Sequence, residues 1–214
     1  MTEGGDTAIR NDPRQAHRAS LMLRRAKLVC QSGEYLCLIR DVSELGVGLG
    51  FMHDVPPEPR TLLQLANELT YPIERVWTGK RQAGFRFGAE VTLDEFLREN
   101  SQFESRPLRL QMSAPVRLGE GRDVYDARLL DLSCEGAKFT SSVELPEGKL
   151  VTFDLEGLPP QLGQVRWVEG KRHGLRFQQP VTTEELAACA LHLQPFDQTR
   201  SRGFSQLLAK ARAA

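Results

Sequence analysis

Net charge is the first thing this sequence lacks. Its 214 residues carry 28 Lys and Arg against 28 Asp and Glu, a formal balance of zero. A chain so balanced does not coat nucleic acid or anionic lipid by bulk electrostatics, so no DNA partner is expected. A local basic patch stays open. No run of 18 apolar residues exists, so no membrane span is predicted. The opening MTEGGDTAIRNDPRQAHR has no apolar core, and secretion by a signal peptide is not expected. Cys30, Cys37, Cys134 and Cys189 form neither a CxxC pair nor a Cys/His cluster. They read as reduced, mostly buried thiols of a cytoplasmic protein, with no metal. No P-loop and no HExxH occurs. Gly46, Gly48 and Gly50 spell GxGxG, but FMHDVPPEP follows where a dinucleotide fold needs a helix. His17, His53, His173 and His192 stand in no triad context and are expected at the surface. The chain therefore reads as no enzyme, without catalytic residues or cofactor. What it does have is 40% apolar and 26% charged residues, enough to fill a core.

It also has an internal repeat. DVSELG begins at Asp41 and DLSCEG at Asp131, 90 positions apart. The same offset brings Tyr35 onto Tyr125, Trp77 onto Trp167, Gly84 onto Gly174, Arg86 onto Arg176 and Phe87 onto Phe177. Identities held in one register over such a stretch indicate a duplicated unit. The repeat runs from about Arg14 to Glu99 and from about Arg106 to Leu193. With its basic arm the first domain spans 10–99. The second spans 106–193, and 194–214 is a basic C-terminal tail or helix.

Each unit reads as strands followed by one helix. Tyr35, Cys37 and Ile39 alternate with their neighbours, as do Tyr125, Ala127 and Leu129, which predicts strands with one face inward. Val47 and Leu49, with Ala137 and Phe139, continue the alternation. Trp77–Phe87 and Trp167–Phe177 read as hairpins, with both tryptophans expected in the core. Thr92–Glu95 and Thr182–Glu185 match the T-x-x-E opening of a helix. Short strands in so small a unit suit a barrel, which leaves no long edges.

The chemistry lies before and after the first strand. From Arg10 to Lys27 there are six Lys or Arg and one acidic residue. Among them Arg14 and Arg18 form RxxxR. Guanidinium forks bind phosphate oxygens in pairs, and their faces stack on purines. Asp41 can accept hydrogen bonds from the ring N–H and amino group of a guanine edge. Ser43 can donate to phosphate or to backbone, and Gly46 permits a close approach.

RxxxR about two dozen residues before DxSxxG, with the later strand Gly84-Phe-Arg-Phe87, resembles the PilZ domain family. The resemblance extends over both units. It implies a mainly β protein of bacteria: two tandem six-stranded barrels, each closed by a C-terminal helix. It also implies cyclic di-GMP as the ligand. By that resemblance Arg14 and Arg18 would stack on guanines and hold phosphates, while Asp41, Ser43 and Gly46 line the opposite wall. Arg86 is a further candidate contact, although a repeated strand arginine is more often an outward structural residue.

The second unit keeps Asp131, Ser133 and Gly136 but departs from the pattern before them. At the 90-residue offset Arg14 and Arg18 fall on Glu104 and Leu108. The nearby Arg106-Pro-Leu-Arg109 is one residue short of RxxxR. This copy is expected to be structural or partner-binding. The chain as a whole reads as a cyclic di-GMP receptor that binds through its first domain and passes the signal to a protein partner. The alternative is an interaction adaptor with the same barrels and no nucleotide.

Overall fold

The structure, a computed structural model, describes residues 19–97 and 107–196, with side chains of the first strand described from Arg24 onward. Arg14, Arg18 and the rest of the N-terminal arm lie outside the described residues, as do the link 100–105 and residues 197–214.

Six antiparallel strands close the first barrel. They are β1 (Ala19–Val29), β2 (Glu34–Ser43), β3 (Gly46–Gly50), β4 (Arg60–Gln64), β5 (Thr70–Gly79) and β6 (Gln82–Phe87). The order is β1-β2-β3-β6-β5-β4, shut by pairing of Lys27 with Gln64 on β4. Helix α1 (Leu93–Leu97) follows, and its Phe96 packs on Tyr71 and Phe87.

The second barrel repeats this order with β8 (Pro115–Glu120), β9 (Asp123–Ser133), β10 (Gly136–Ser141), β11 (Leu150–Asp154), β12 (Gln161–Glu169) and β13 (Arg172–Phe177). It closes because β9 pairs with both β8 and β10. A two-residue strand, β7 (Leu110–Gln111), adds to β9. Helix α2 (Thr183–Leu193) opens with a capping box. Thr182 Oγ1 accepts from Glu185 N–H at 3.1 Å, and the Thr182 N–H donates to the Glu185 carboxylate at 2.7 Å. This satisfies two helix-start groups, as the T-x-x-E spacing predicts. Among the described residues no helix is long and apolar enough to cross a membrane.

The alternating positions face inward as predicted: Tyr35, Cys37, Ile39, Leu49, Leu129 and Phe139 are buried. All four cysteines are free and buried. The tryptophans depart from expectation. Trp77 is 49% exposed on the outer face. The β5–β6 register slips between Arg75 and Trp77, and this bulge turns Val76 and Trp77 both outward. The indole lies over Gly84, in the space a side chain there would take. Trp167 covers Gly174 in the same way.

Two histidines also depart from expectation. His173 is buried, its ring stacked on Phe139 at 5.1 Å. His53 is buried among Tyr35, Phe51 and Phe196. Both sit beside aromatic core residues, where an imidazole fills space as an apolar ring does.

The barrels share a dry seam. Lys27, Glu34 and Leu36 point out of the first barrel and are nevertheless buried. Leu36 joins the core of the second barrel. Leu191 and Phe196, from α2 and the segment after it, pack on the core of the first.

Truncating Phe139 to Ala should cost about 3–5 kcal/mol, read as a lower urea midpoint. A second expectation concerns acid. Burial holds His53 below its ordinary value of 6.5, outweighing its hydrogen bond to the Asp54 carbonyl. The unfolded chain therefore takes up that proton more readily. The stability tied to neutral His53 is complete above 6.5 and is lost as pH falls through the lower folded value. Denaturation of wild type and His53→Phe between about pH 7.5 and about pH 5 should show a shallower loss in the variant.

Candidate functional site

The two DxSxxG turns end β2 and β9 and start β3 and β10. In the first, the Ser43 hydroxyl donates to the Gly46 carbonyl at 3.3 Å and accepts the Gly46 N–H at 3.2 Å. Ser133 donates to the Gly136 carbonyl at 3.1 Å. Each serine closes its own turn, the backbone option of the two that sequence left open. Gly46 lies against the neighbouring strand: a Cβ there would come 2.6 Å from the Phe85 carbonyl oxygen. Close backbone packing accounts for the glycine.

Strand register brings the other residues into line. Ser20 on β1 pairs with Asp41, Asp41 with Gly48, Gly48 with Gly84, and Gly84 with Trp77. The Asp41 carboxylate lies over Gly48, within contact of the place a Cβ would occupy. The two glycines make room for side chains of the neighbouring strands: the half-buried Asp41 carboxylate lies over Gly48 and the exposed Trp77 indole over Gly84. From Asp41 to Trp77 is three strand spacings, roughly 14 Å. Among the described residues no cation pairs with Asp41.

Arg86 sits opposite Gly46 on β6. Its guanidinium donates to Glu74 at 3.2 Å on the exposed surface. That hydrogen bond, and then the charge of Arg60, hold Glu74 below its usual carboxylate range.

The second barrel builds the same row and fills it. Gln111 pairs with Asp131, Asp131 with Lys138, Lys138 with Gly174, and Gly174 with Trp167. Lys138 stands where the first barrel has Gly48. Its ammonium reaches Asp131 at 2.9 Å, and Arg109 reaches the other carboxylate oxygen at 2.7 Å. Asp131 is 6% exposed. Its charge is answered from within the barrel.

This register also corrects the alignment before the first strand. Ser20 and Gln111 both face the motif aspartate, so the offset there is 91. One residue is absent from the second copy between Gln111 and Pro115, where β1 has an irregularity between Ser20 and Arg24. Arg109, two residues before Gln111, is therefore the counterpart of Arg18, two before Ser20. Arg14 then matches Ser105. Sequence reading missed Gly48, Gly84 and Trp77 as one surface. The available signal was the repeat itself, in which Gly48 becomes Lys138 while both Gly–Trp pairs persist.

The fold and the two rows define a tandem of six-stranded antiparallel barrels, each presenting an acid-bounded face beside its β2–β3 or β9–β10 turn. Residues 98–192 match the family model of the PilZ domain. The matched residues take in the second barrel, and the first barrel repeats the strand order and the turn of the second. No curated protein matches the chain. Among solved structures it is similar to PlzA of Borreliella burgdorferi in complex with c-di-GMP, at 13% identity and a TM-score of 0.35, covering 78% of this chain and 86% of that one. It is also similar to YcgR of Escherichia coli in complex with c-di-GMP, at 15% identity and a TM-score of 0.30, covering 88% and 85%. The Bacillus subtilis inhibitor of motility MotI/DgrA gives 10% identity and a TM-score of 0.35, covering 89% and 99%.

Gly46→Ala should drive a methyl group against the Phe85 carbonyl. The expected loss is about 1–3 kcal/mol, read as a lower midpoint in thermal or urea unfolding.

Proposed function

We propose that the chain is a cyclic di-GMP receptor whose first barrel takes the ligand on the Asp41–Gly48–Gly84–Trp77 row. Arg14 and Arg18 supply the cations. The observation that carries this reading is the contrast at one position. Beside Gly48, Asp41 meets no cation among the described residues, whereas Lys138 pairs with Asp131. The match of residues 98–192 to the PilZ domain model and the RxxxR and DxSxxG of the first unit support the ligand's identity.

The chemistry follows from the groups present. The Asp41 carboxylate accepts from the N–H and amino edge of one guanine. A flat purine lies beside that carboxylate, and the exposed Trp77 indole offers it a stacking face. Arg109, two residues before Gln111, reaches Asp131 at 2.7 Å; Arg18 stands two residues before Ser20 in the sequence, and by that correspondence we assign it to the Asp41 row. There its fork holds phosphate while its face covers a base. Ser43 and Gly46 shape the turn that carries Asp41, and Arg86 stays with Glu74. No group in this reading forms or breaks a bond of the ligand. The bound state is passed to a protein partner in the cytoplasm.

Calorimetric titration of the full chain with cyclic di-GMP tests this. A charged hydrogen bond is worth roughly 1.5–3 kcal/mol, so Arg18→Ala should weaken binding at least about tenfold. Gly48→Lys should abolish binding and leave the protein folded, because the second barrel already carries lysine there. An absence of binding by wild type would leave the adaptor reading. Wild-type affinity in both variants would remove the ligand from this row.

A further inference from the structure

We infer that the second barrel's copy of the turn is a joint for the first barrel, and that the buried Lys27–Glu34 pair is its latch. The inference does not depend on any nucleotide.

Strand β7 has two edges. One pairs with β9 through Leu110 and Gln111. The other edge, left alone, would face water with unpaired peptide groups. Instead the first barrel supplies partners. Lys27 Nζ donates to the Arg109 carbonyl at 2.9 Å, and the Gln111 N–H donates to the Glu34 carboxylate at 2.7 Å. Lys27 and Glu34 meet each other at 2.6 Å, their side chains 7% and 8% exposed.

Gln194, just beyond α2, completes the seam. Its amide nitrogen donates to the Gln111 carbonyl at 2.8 Å, and its amide oxygen accepts the Glu34 N–H at 2.6 Å. The Tyr35 hydroxyl donates to the Gln194 carbonyl at 2.7 Å. These side chains replace a missing strand, so both peptide groups of Gln111 are satisfied in a dry place.

The motif turn itself is drawn in. Cys134, inside DLSCEG, is buried and receives Arg25 Nη1 from the first barrel at 3.6 Å. In the first barrel the corresponding Glu44 is exposed. The fourth position of the motif is thus open in one copy and covered in the other. The covered copy has its aspartate neutralised by Arg109 and Lys138, and its turn meets the neighbouring barrel.

Removing Glu34 would leave Lys27 buried without its counter-charge, a strongly unfavourable state that undocking relieves. Alkylation of the four thiols, followed by peptide mass spectrometry on the full chain, reads this directly. In Glu34→Ala the Cys134 thiol should react faster by on the order of a hundredfold. Cys37, in the first core, and Cys189, in the second, should stay protected. Small-angle scattering should show a larger radius of gyration. Gln194→Ala, which keeps both charges, should give a smaller change in the same direction and serves if Glu34→Ala does not fold. Unchanged Cys134 protection and scattering in the folded variants would overturn the latch. So would loss of Cys37 and Cys189 protection in step with Cys134, because the pair would then hold the barrels folded rather than hold them together.

Discussion

Lys27 and Glu34 are taken out of water between two barrels and left facing each other at 2.6 Å. Burying either charge alone would cost several kcal/mol. The pair is tolerable because every strong contact is answered: lysine by glutamate and a carbonyl, glutamate by lysine and a peptide N–H. Both residues sit on outward positions of the β1–β2 hairpin. Their burial is what makes two barrels one arrangement, and it places β1 at the centre of it. The N-terminal end of β1 pairs beside Asp41, and its C-terminal half carries Arg25 and Lys27 into the seam.

The duplication puts two different surroundings around one motif aspartate on a common scaffold. Strand order, turn, serine closure and Trp-over-Gly packing are common to both barrels. One difference at the motif aspartate is the occupant of a single position on the third strand of each barrel. Glycine leaves Asp41 without a cation among the described residues, while lysine supplies Asp131 with an internal one. A carboxylate already paired to two cations offers little to an incoming donor. An unpaired one at the surface remains a strong acceptor.

Much of the architecture was legible in sequence. The 90-residue repeat, the alternation at Tyr35, Cys37 and Ile39, and the T-x-x-E helix start before α2 all report local periodicity or local hydrogen bonds. Where the reading failed, the cause was not local. Trp77 turned outward because a bulge reset the alternation of β5. His53 and His173 were buried by aromatic neighbours distant in sequence. The 90-residue offset gave Leu108 as the counterpart of Arg18, because a one-residue difference between Gln111 and Pro115 is invisible without strand pairing.

Sequence by itself determined the repeat, the β class, the inward faces and the residue types offered by each turn. These follow from spacing along one chain, where side-chain period and capping chemistry act over a few residues. Only the tertiary structure decided that Asp41, Gly48, Gly84 and Trp77 form one surface, since four strands must pair to align them. It alone decided that Lys27, Glu34 and Leu36, polar-face positions by pattern, lie in a dry seam. Burial of an outward residue depends on what docks against it, and that partner is a second barrel folded from residues far along the chain.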